Sequence, residues 1–480
     1  MAKHSECETP ECRAPMEKVE KVLGEALARI KPSAEEEKRC RELAETITRR
    51  LQERIPKEIK VELVGSVAKG TTLKGEGDID IFLLFPKEKY SHKDLAVIGL
   101  DYAKHALSPT MKWQIGYAEH PYLKAKINGR RVDIVPAFKI ESSEELGSAA
   151  DRSPLHTQYI LKHLTEKQKD DVRLLKRFLK RLAVYGAEVK IEGFSGYLCE
   201  LLILNSGSFI RLVEEARFWR EPVIDLERAY ASEAEARKKF SFAPLVVVDP
   251  VDPGRNVAAA VSETSLSKFI LACRSFLRNP SLEFFFESAP KITPEKLKEM
   301  KRRLLGRDTP HDFVLRFKAP KIVPDILWPQ LRRTARIFFE RLNAAGFEVF
   351  DYTYWTDEKN SCIIVFEFTV HTLPCVEKVV GPELHYIDGV DDFIKKYRDP
   401  FAGPWVGGNR LYAARKRRFT RAKDLIDYIA KHPSEFGIPK NIAEFLPNYK
   451  RLRASSLLRP KYARFMHDYL YKRHYYIELY

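Results

Sequence analysis

Gly65-Ser66-Val67-Ala68-Lys69-Gly70 is followed, eight residues further on, by Asp78-Ile79-Asp80-Ile81-Phe82-Leu83-Leu84-Phe85. The second stretch reads as an apolar strand that opens on two carboxylates. A strand turns alternate side chains to one face, so Asp78 and Asp80 point together. Further on, Arg131-Val132-Asp133-Ile134-Val135-Pro136 offers a third carboxylate on a second apolar strand. Three carboxylates in a small volume repel one another and favour protonation unless cations lie between them. Two magnesium ions would relieve that repulsion and could run an in-line displacement at phosphorus. Ile79, Ile81, Leu83 and Leu84 mark the first strand as a core element, where aspartates cost stability unless metal or basic partners compensate. The bland alternative puts Asp78 and Asp80 at a strand edge or helix cap in water; a third aspartate in a like strand weighs against it.

Gly65-Ser66 follows a strand and opens a short helix, where backbone N–H groups can bind phosphate. Gly65 lets a ligand approach closely, Ser66 offers a hydroxyl, and Lys69 adds charge one turn later. Followed by Asp-x-Asp on an apolar strand, the pair points to nucleotidyl transfer. One metal ion would activate an incoming hydroxyl and the other would stabilise leaving pyrophosphate. Asp133 is expected beside the attacking hydroxyl, with Asp78 and Asp80 spanning both ions.

The chain has 480 residues and 44% hydrophobic side chains, enough for about three domains with sizeable cores. No apolar run approaches membrane-spanning length. The first residues lack an apolar signal-peptide core, so a cytoplasmic protein without a membrane partner is expected. Seven cysteines are scattered, which suits free thiols in a reducing compartment. Cys7 and Cys12 form a lone pair with no second pair nearby. A formal charge of +16 attracts polyanions, and nucleic acid fits better than lipid because no basic amphipathic helix with an aromatic face stands out.

The spacing predicts an α+β fold in three parts. Residues 1–150 read as a mixed α/β catalytic domain. Helices fill 16–53, with Ser33 and Glu36 as a capping box, and 93–107. Strands are expected at Lys60–Val64 and Ile79–Phe85, and a hairpin joins Tyr117–Ile127 to Arg131–Ala137 through Asn128-Gly129. Residues 151–284 read as a mainly helical nucleotide-binding domain. Ser153-Pro154 reads as a helix start. Thr165 and Gln168 cap a helix faced by Val172, Leu175, Phe178, Leu179 and Leu182. Gly193–Gly196 leads into another, a strand near Leu245–Val248 precedes a turn over 249–254, and 263–279 is helical. Residues 285–480 read as a basic α+β domain, with strands at Phe313–Phe317, Glu348–Tyr354 and Cys362–Phe368 and helices near 325–343 and 421–431. It contains Arg415-Lys416-Arg417-Arg418 and a tail mixing basic and aromatic residues. Those aromatics suit either stacking on RNA or the core face of a terminal helix, and the sequence leaves both open.

Gly65-Ser66 with Asp78-x-Asp80 and Asp133 resembles the polymerase-beta-like nucleotidyltransferase superfamily. Tyr117-Ala118-Glu119-His120-Pro121-Tyr122, Asp151–His156, Tyr185-Gly186-Ala187-Glu188, Gly193–Leu202 and Val248–Ala259 narrow the resemblance to the archaeal, class I CCA-adding enzymes. The resemblance implies template-independent addition and repair of the tRNA 3′-terminal CCA from CTP and ATP, two Mg2+ ions and a homodimer. It implies a nucleotidyltransferase head, a helical centre and a C-terminal RNA-binding domain. By position, Asp78, Asp80 and Asp133 match the metal carboxylates. Gly65 belongs to the phosphate turn, and Ser66, Lys69, His156, Lys176, Tyr185 and Arg255 match nucleotide contacts, Arg255 as an arginine that helps read the base. The family often has glutamate at position 78 and arginine at 69; lysine there offers a point charge rather than a fork.

From the residues alone, Lys176 shares a face with Lys169, Arg173 and Lys180 and reads as solvated surface. Tyr185 could plug the core, Arg255 could close a turn, and His156 could cap a helix. The basic third part is the expected seat of the tRNA acceptor stem and adjoining arm, held by shape and phosphate. The alternatives are another enzyme of the superfamily, such as a poly(A) polymerase or a small-molecule nucleotidyltransferase, and a non-catalytic RNA-binding protein.

Overall fold

Two helices, α1 (Pro10–Ile30) and α2 (Ala34–Gln52), precede the first sheet. Ser33 accepts the N–H of Glu36 and caps α2. The Glu36 carboxylate does not complete the expected box, because it accepts from the Gly75 N–H and from Arg130 instead. Cys40, Ala44, Ile47 and Leu51 are the buried stripe of α2. The computed structural model describes residues 10–107, 112–117, 121–286, 292–307, 313–398, 401–472 and 474–480. Cys7, Ala118, Glu119, His120, Arg473 and the side chain of Cys12 lie outside the described residues.

The chain continues through β1 (Lys60–Val64), the single turn α3 (Gly65–Lys69), β2 (Ile79–Pro86), α4 (His92–Asp94) and α5 (Leu100–Ala106). Then come β3 (Trp113–Tyr117), β4 (Pro121–Ile127) and β5 (Arg130–Lys139). The sheet order is β1-β2-β5-β4-β3. Only β2 and β5 run parallel, and the crossover that parallel pairing demands carries α4 and α5. The helix expected over 93–107 is broken by a π turn at Leu95–Gly99. A Cβ at Gly99 would overlap the Pro136 ring, and the helix widens where it meets β5. Ile79, Ile81, Leu83 and Phe85 join Val132, Ile134 and Phe138 under α2 and α5. Phe82, Leu84 and Ala137 face the other way.

A helical layer follows: α6 (Arg152–His163), α7 (Glu166–Arg181), α8 (Gly196–Ser206), α9 (Phe209–Ala216), β6 (Val223–Ile224), α10 (Glu233–Lys239), β7 (Val246–Asp249), β8 (Asp252–Asn256) and α11 (Glu263–Arg278). The helix expected to start at Pro154, after a Ser153 cap, starts two residues earlier. The Asp151 carboxylate takes the N–H groups of Phe138, Gly147 and Ser148, which tightens the preceding turn and begins the helix at Arg152. The turn expected over 249–254 is shorter, because Asp252–Asn256 pairs back onto β7 as β8. The Thr165–Gln168 capping box is present, and the α7 stripe is buried. Phe178 lies within about one ring of Phe209, Phe269, Phe276, Phe284 and Phe285. The last residues close this core: Tyr476 is buried in it, and Tyr475 meets Phe284 at 5.6 Å.

By contacts the chain forms two compact units, Met1–Ala289 with His474–Tyr480, and Pro290–Arg473. The second contains α12 (Pro294–Leu305), β9 (Val314–Lys318), α13 (Pro324–Ala344), β10 (Glu348–Thr356) and β11 (Ser361–Val370). These are followed by β12 (Val376–Glu383), α14 (Ile387–Lys396), β13 (Ala402–Gly407), β14 (Arg410–Lys416), α15 (Ala422–Lys431), α16 (Lys440–Ala443), β15 (Lys450–Leu452) and α17 (Ala463–Tyr471). The sheet β10-β11-β9-β15 is covered on both faces. Leu315, Ile364 and Phe366 meet α13 and α15, while Val314, Ile363 and Val365 meet α12 and α17. Tyr462 and Tyr469 of the tail are buried there, so these aromatics serve the core. A smaller sheet, β12-β14-β13, packs on α14.

Cys40, Cys199, Cys273 and Cys362 are buried free thiols, and Cys375 is an exposed one. Among the described residues no single helix is long and apolar enough to cross a membrane. The apolar pair α8 and α9 is bent by 89° and buried in the core. Truncating Phe178 to alanine is expected to destabilise the first unit by about 3–5 kcal/mol, read from urea unfolding.

Candidate active site

In the parallel pairing of β2 with β5, Asp80 lies directly beside Asp133. Both leave the sheet on the face opposite Ile81 and Ile134. Asp78 precedes β2 by one residue and shares the parity of Asp80. Arg131 stands two before Asp133 and reaches across: Nη2 is 2.8 Å from Asp78 Oδ2, and Nε is 3.5 Å from Asp133 Oδ2. Asp133 is buried, and its Oδ1 has no hydrogen-bond partner. Burial, then the charges of Asp133 and Asp78, push the Asp80 carboxyl up to about 7 against Arg131 and Lys69. Burial and then Asp78 raise Asp133 as well, against Arg131 and Lys124.

These features fit divalent cations. An orphaned carboxylate oxygen, adjacent like charges and hard oxygen donors are what such an ion would satisfy. Among the described residues no three His, Cys, Asp or Glu side chains are gathered closely enough to hold an ion as they stand. Arg131 engages one oxygen each of Asp78 and Asp133 and leaves Asp133 Oδ1 free.

Gly65 is tied to the site by its backbone. Its φ is +76°, and a Cβ there would overlap Oδ2 of Asp80. Its N–H donates to Thr157 Oγ1 at 3.3 Å. Gly65, Lys69, Asp80, Asp133 and His156, five of the sequence-predicted residues, line a cavity of about 370 Å3 together with Tyr122, Thr157 and Tyr197. Ser66 lies on the first turn of α3, half-buried and outside that lining.

A second cluster lies behind Lys69. Its Nζ meets Glu200 Oε2 at 2.5 Å, and Thr71 donates to Oε1 at 2.7 Å. Lys176 Nζ donates to the Thr71 carbonyl and hydroxyl, both at 3.0 Å, and lies 3.6 Å from Glu200. The basic face of α7 is therefore not solvated surface. Lys176 and Arg173 are buried because they hold the carbonyls of Gly70, Thr71 and Thr72. Burial would raise Glu200, but the two lysines prevail and hold it below the usual carboxylate range. Burial, aided by Lys69, lowers Lys176. Two ammonium groups share one carboxylate, which leaves positive charge next to the cavity.

A third cluster centres on Asp249, at the end of β7 and fully buried. It binds His156 and Arg255, and His156 stacks on Tyr197. Burial lowers His156 despite Asp249, which keeps its ring neutral near pH 7. Tyr185 is half-buried at the bridge to Phe194, with Lys180 Nζ 5.0 Å from its ring centre.

In the second unit, Arg415 and Arg417 both donate to Glu377, at 2.6 and 2.7 Å. Arg418 lies over the Tyr428 ring at 4.2 Å, and Lys416 is exposed. Sequence reasoning missed Arg131, Tyr197, Glu200 and Asp249. Glu200 did leave a signal, as a lone acid within the apolar run Leu198–Ile203.

The nucleotidyltransferase-domain family matches residues 44–156, and the second domain of tRNA nucleotidyltransferases matches 170–286. The C-terminal domain of CCA-adding enzymes matches 309–453. The CCA-adding enzyme of Pyrobaculum islandicum is 39% identical over 421 residues, which cover 87% of this chain and 95% of that protein. The chain belongs to the CCA-adding enzyme family. Members from Archaeoglobus fulgidus and Methanocaldococcus jannaschii are 38% and 37% identical, covering 90% and 88% of this chain and 94% of each relative. As a CCA-adding family member the chain is a nucleotidyltransferase, and its three aspartates lie within the matched nucleotidyltransferase domain.

Between the ordinary value of 3.8 and about 7, folded Asp80 keeps a proton that the unfolded chain has released. Stability without divalent ions therefore falls as pH rises through that window. Asp80→Asn is expected to raise the melting temperature at pH 8, with the gain shrinking toward pH 4. Glu200→Ala strands two buried ammonium groups, and urea unfolding is expected to show a loss of about 3–5 kcal/mol.

Proposed function

We propose that this chain adds and repairs the 3′-terminal CCA of tRNA without a nucleic-acid template, taking nucleotides from CTP and ATP. The observation that carries this reading is the side-by-side placement of Asp80 and Asp133, one with an unsatisfied oxygen, at the cavity that Lys69 also lines. Asp78, Asp80 and Asp133 would hold two Mg2+ ions. Bound there, the ions would supply the positive charge that acidifies the attacking hydroxyl and neutralises leaving pyrophosphate. The protein's own groups do the rest. Asp133 faces the attacking 3′-hydroxyl. The surplus charge of Lys69 and Lys176 over Glu200 draws the triphosphate into the cavity that Gly65 lines, and Ser66, on the adjoining turn, offers its hydroxyl to a phosphate. His156, stacked on Tyr197, offers a flat neutral wall to the nucleoside. Tyr185 and Arg255 complete the nucleotide contacts, Arg255 at the base edge.

The basic second unit would hold the acceptor stem and adjoining arm through phosphates. Lys416 has no carboxylate partner among the described residues, and Arg418 leans on a ring. Arg415 and Arg417 are neutralised by Glu377 and contribute less charge than their count suggests. A homodimer acting in the cytoplasm completes the proposal.

Incubation with tRNA lacking its terminus and each labelled nucleotide tests the reading. C, C and A are expected, followed by arrest; homopolymer growth would point to a different polymerase. Asp133→Ala should abolish incorporation while tRNA affinity stays near wild type, and retained turnover would refute the assigned role.

A further inference from the structure

Asp249 has no solvent exposure, yet it sits between two side chains assigned to the nucleotide. Both of its oxygens are engaged. Oδ2 receives His156 Nε2 at 2.9 Å and Arg255 Nη1 at 2.8 Å. Oδ1 accepts the Tyr197 hydroxyl at 3.2 Å and the Val251 N–H at 3.2 Å. The three side-chain partners come from α6, α8 and β8, so one carboxylate joins separate elements at one point. His156 and Tyr197 stack with centroids 3.9 Å apart and planes 22° apart, and both line the cavity. Lys69 Nζ, beside the aspartates, lies 5.7 Å from the centre of the Tyr197 ring.

Arg255 is the informative member. Its side chain is 37% exposed, and Asp249 takes only Nη1. Among the described residues its other N–H groups have no protein acceptor. An arginine anchored at one corner presents its remaining donors in a fixed direction. Cytosine and adenine share an amino group beside an unprotonated ring nitrogen. Uracil and guanine carry an N–H where that nitrogen would be, and a fixed donor meets it donor to donor. A site whose polar groups go unpaired with the wrong base rejects it strongly, but only when those groups cannot turn away.

We propose that Asp249 is a positioning residue for nucleotide selection: it aims the Arg255 guanidinium and locks the His156–Tyr197 stack, so that C and A meet preset donors. This rests on the reading of His156 and Arg255 as nucleotide contacts. The carboxylate reaches the nucleotide only through its partners.

The test is steady-state incorporation with nucleotides supplied singly: CTP against UTP and GTP on tRNA lacking its terminus, and ATP against UTP and GTP on tRNA that ends in CC. Asp249→Asn keeps the shape and removes the charge. Its KM for CTP and ATP is expected to rise about tenfold or more, and preference over UTP and GTP to fall by a similar factor, with kcat changing less. The dissociation constant for tRNA should stay near wild type. Arg255→Gln is expected to show the same loss of preference, and the double variant no more than either single one. Asp249→Glu, which keeps the charge but displaces it by a methylene, should also lose preference; it serves if Asp249→Asn does not fold. Unchanged KM and preference in a folded Asp249 variant, with Arg255→Gln impaired, overturns the positioning role. Unchanged behaviour of Arg255→Gln and His156→Ala overturns the underlying nucleotide assignment instead.

Discussion

Two carboxylates at adjacent positions of neighbouring strands are in conflict, and the first unit is arranged around that conflict. Parallel pairing of β2 with β5 leaves Asp80 and Asp133 no choice of face. If either strand slipped by one residue, the aspartate would enter the apolar layer under α2 and α5. The hydrophobic pattern that fixes the register therefore also fixes the charge density. Arg131 relieves part of the repulsion and leaves one oxygen of Asp133 unsatisfied. Gly65 follows from the same constraint, because the Asp80 carboxylate fills the space where a Cβ would stand.

Around these aspartates the helical layer sets two further buried carboxylates. Glu200 is outnumbered by lysines, and its surroundings favour an anion. Asp249 gathers a neutral ring, a phenol and a guanidinium around one buried anion. The cavity thus runs from a cation-seeking wall to an anion-seeking one and on to a flat aromatic one. Such a sequence of surfaces matches a nucleoside triphosphate with its metal ions. Lys176 does double service, since it and Arg173 hold the carbonyls of the loop after α3.

Much of this was legible in the chain. The aspartates were found because strand periodicity is simple and acids are costly among Ile and Leu. The α7 stripe and the Thr165–Gln168 box were found because both are local patterns. Lys176 was misread because spacing shows which residues share a face but not what covers it; the cover is a loop about a hundred residues earlier. β8 was read as a turn because Pro253-Gly254 looks like one, and only pairing with β7 reveals a strand. The sheet β12-β14-β13 carried little signal, since Val380, Trp405 and Val406 remain exposed and blur the alternation. Tyr197 and Asp249 matter through their partners, which no single stretch of sequence displays.

The return of residues 474–480 to the first unit bears on biosynthesis. Tyr475 and Tyr476 lean on Phe284 and the core beside it, yet the ribosome makes them only after residues 290–473 have emerged. The first unit must wait, with a flank of its core uncovered, while residues 290–473 are translated. A nascent chain stalled inside that stretch would expose the flank, offering chaperones a handle on unfinished molecules.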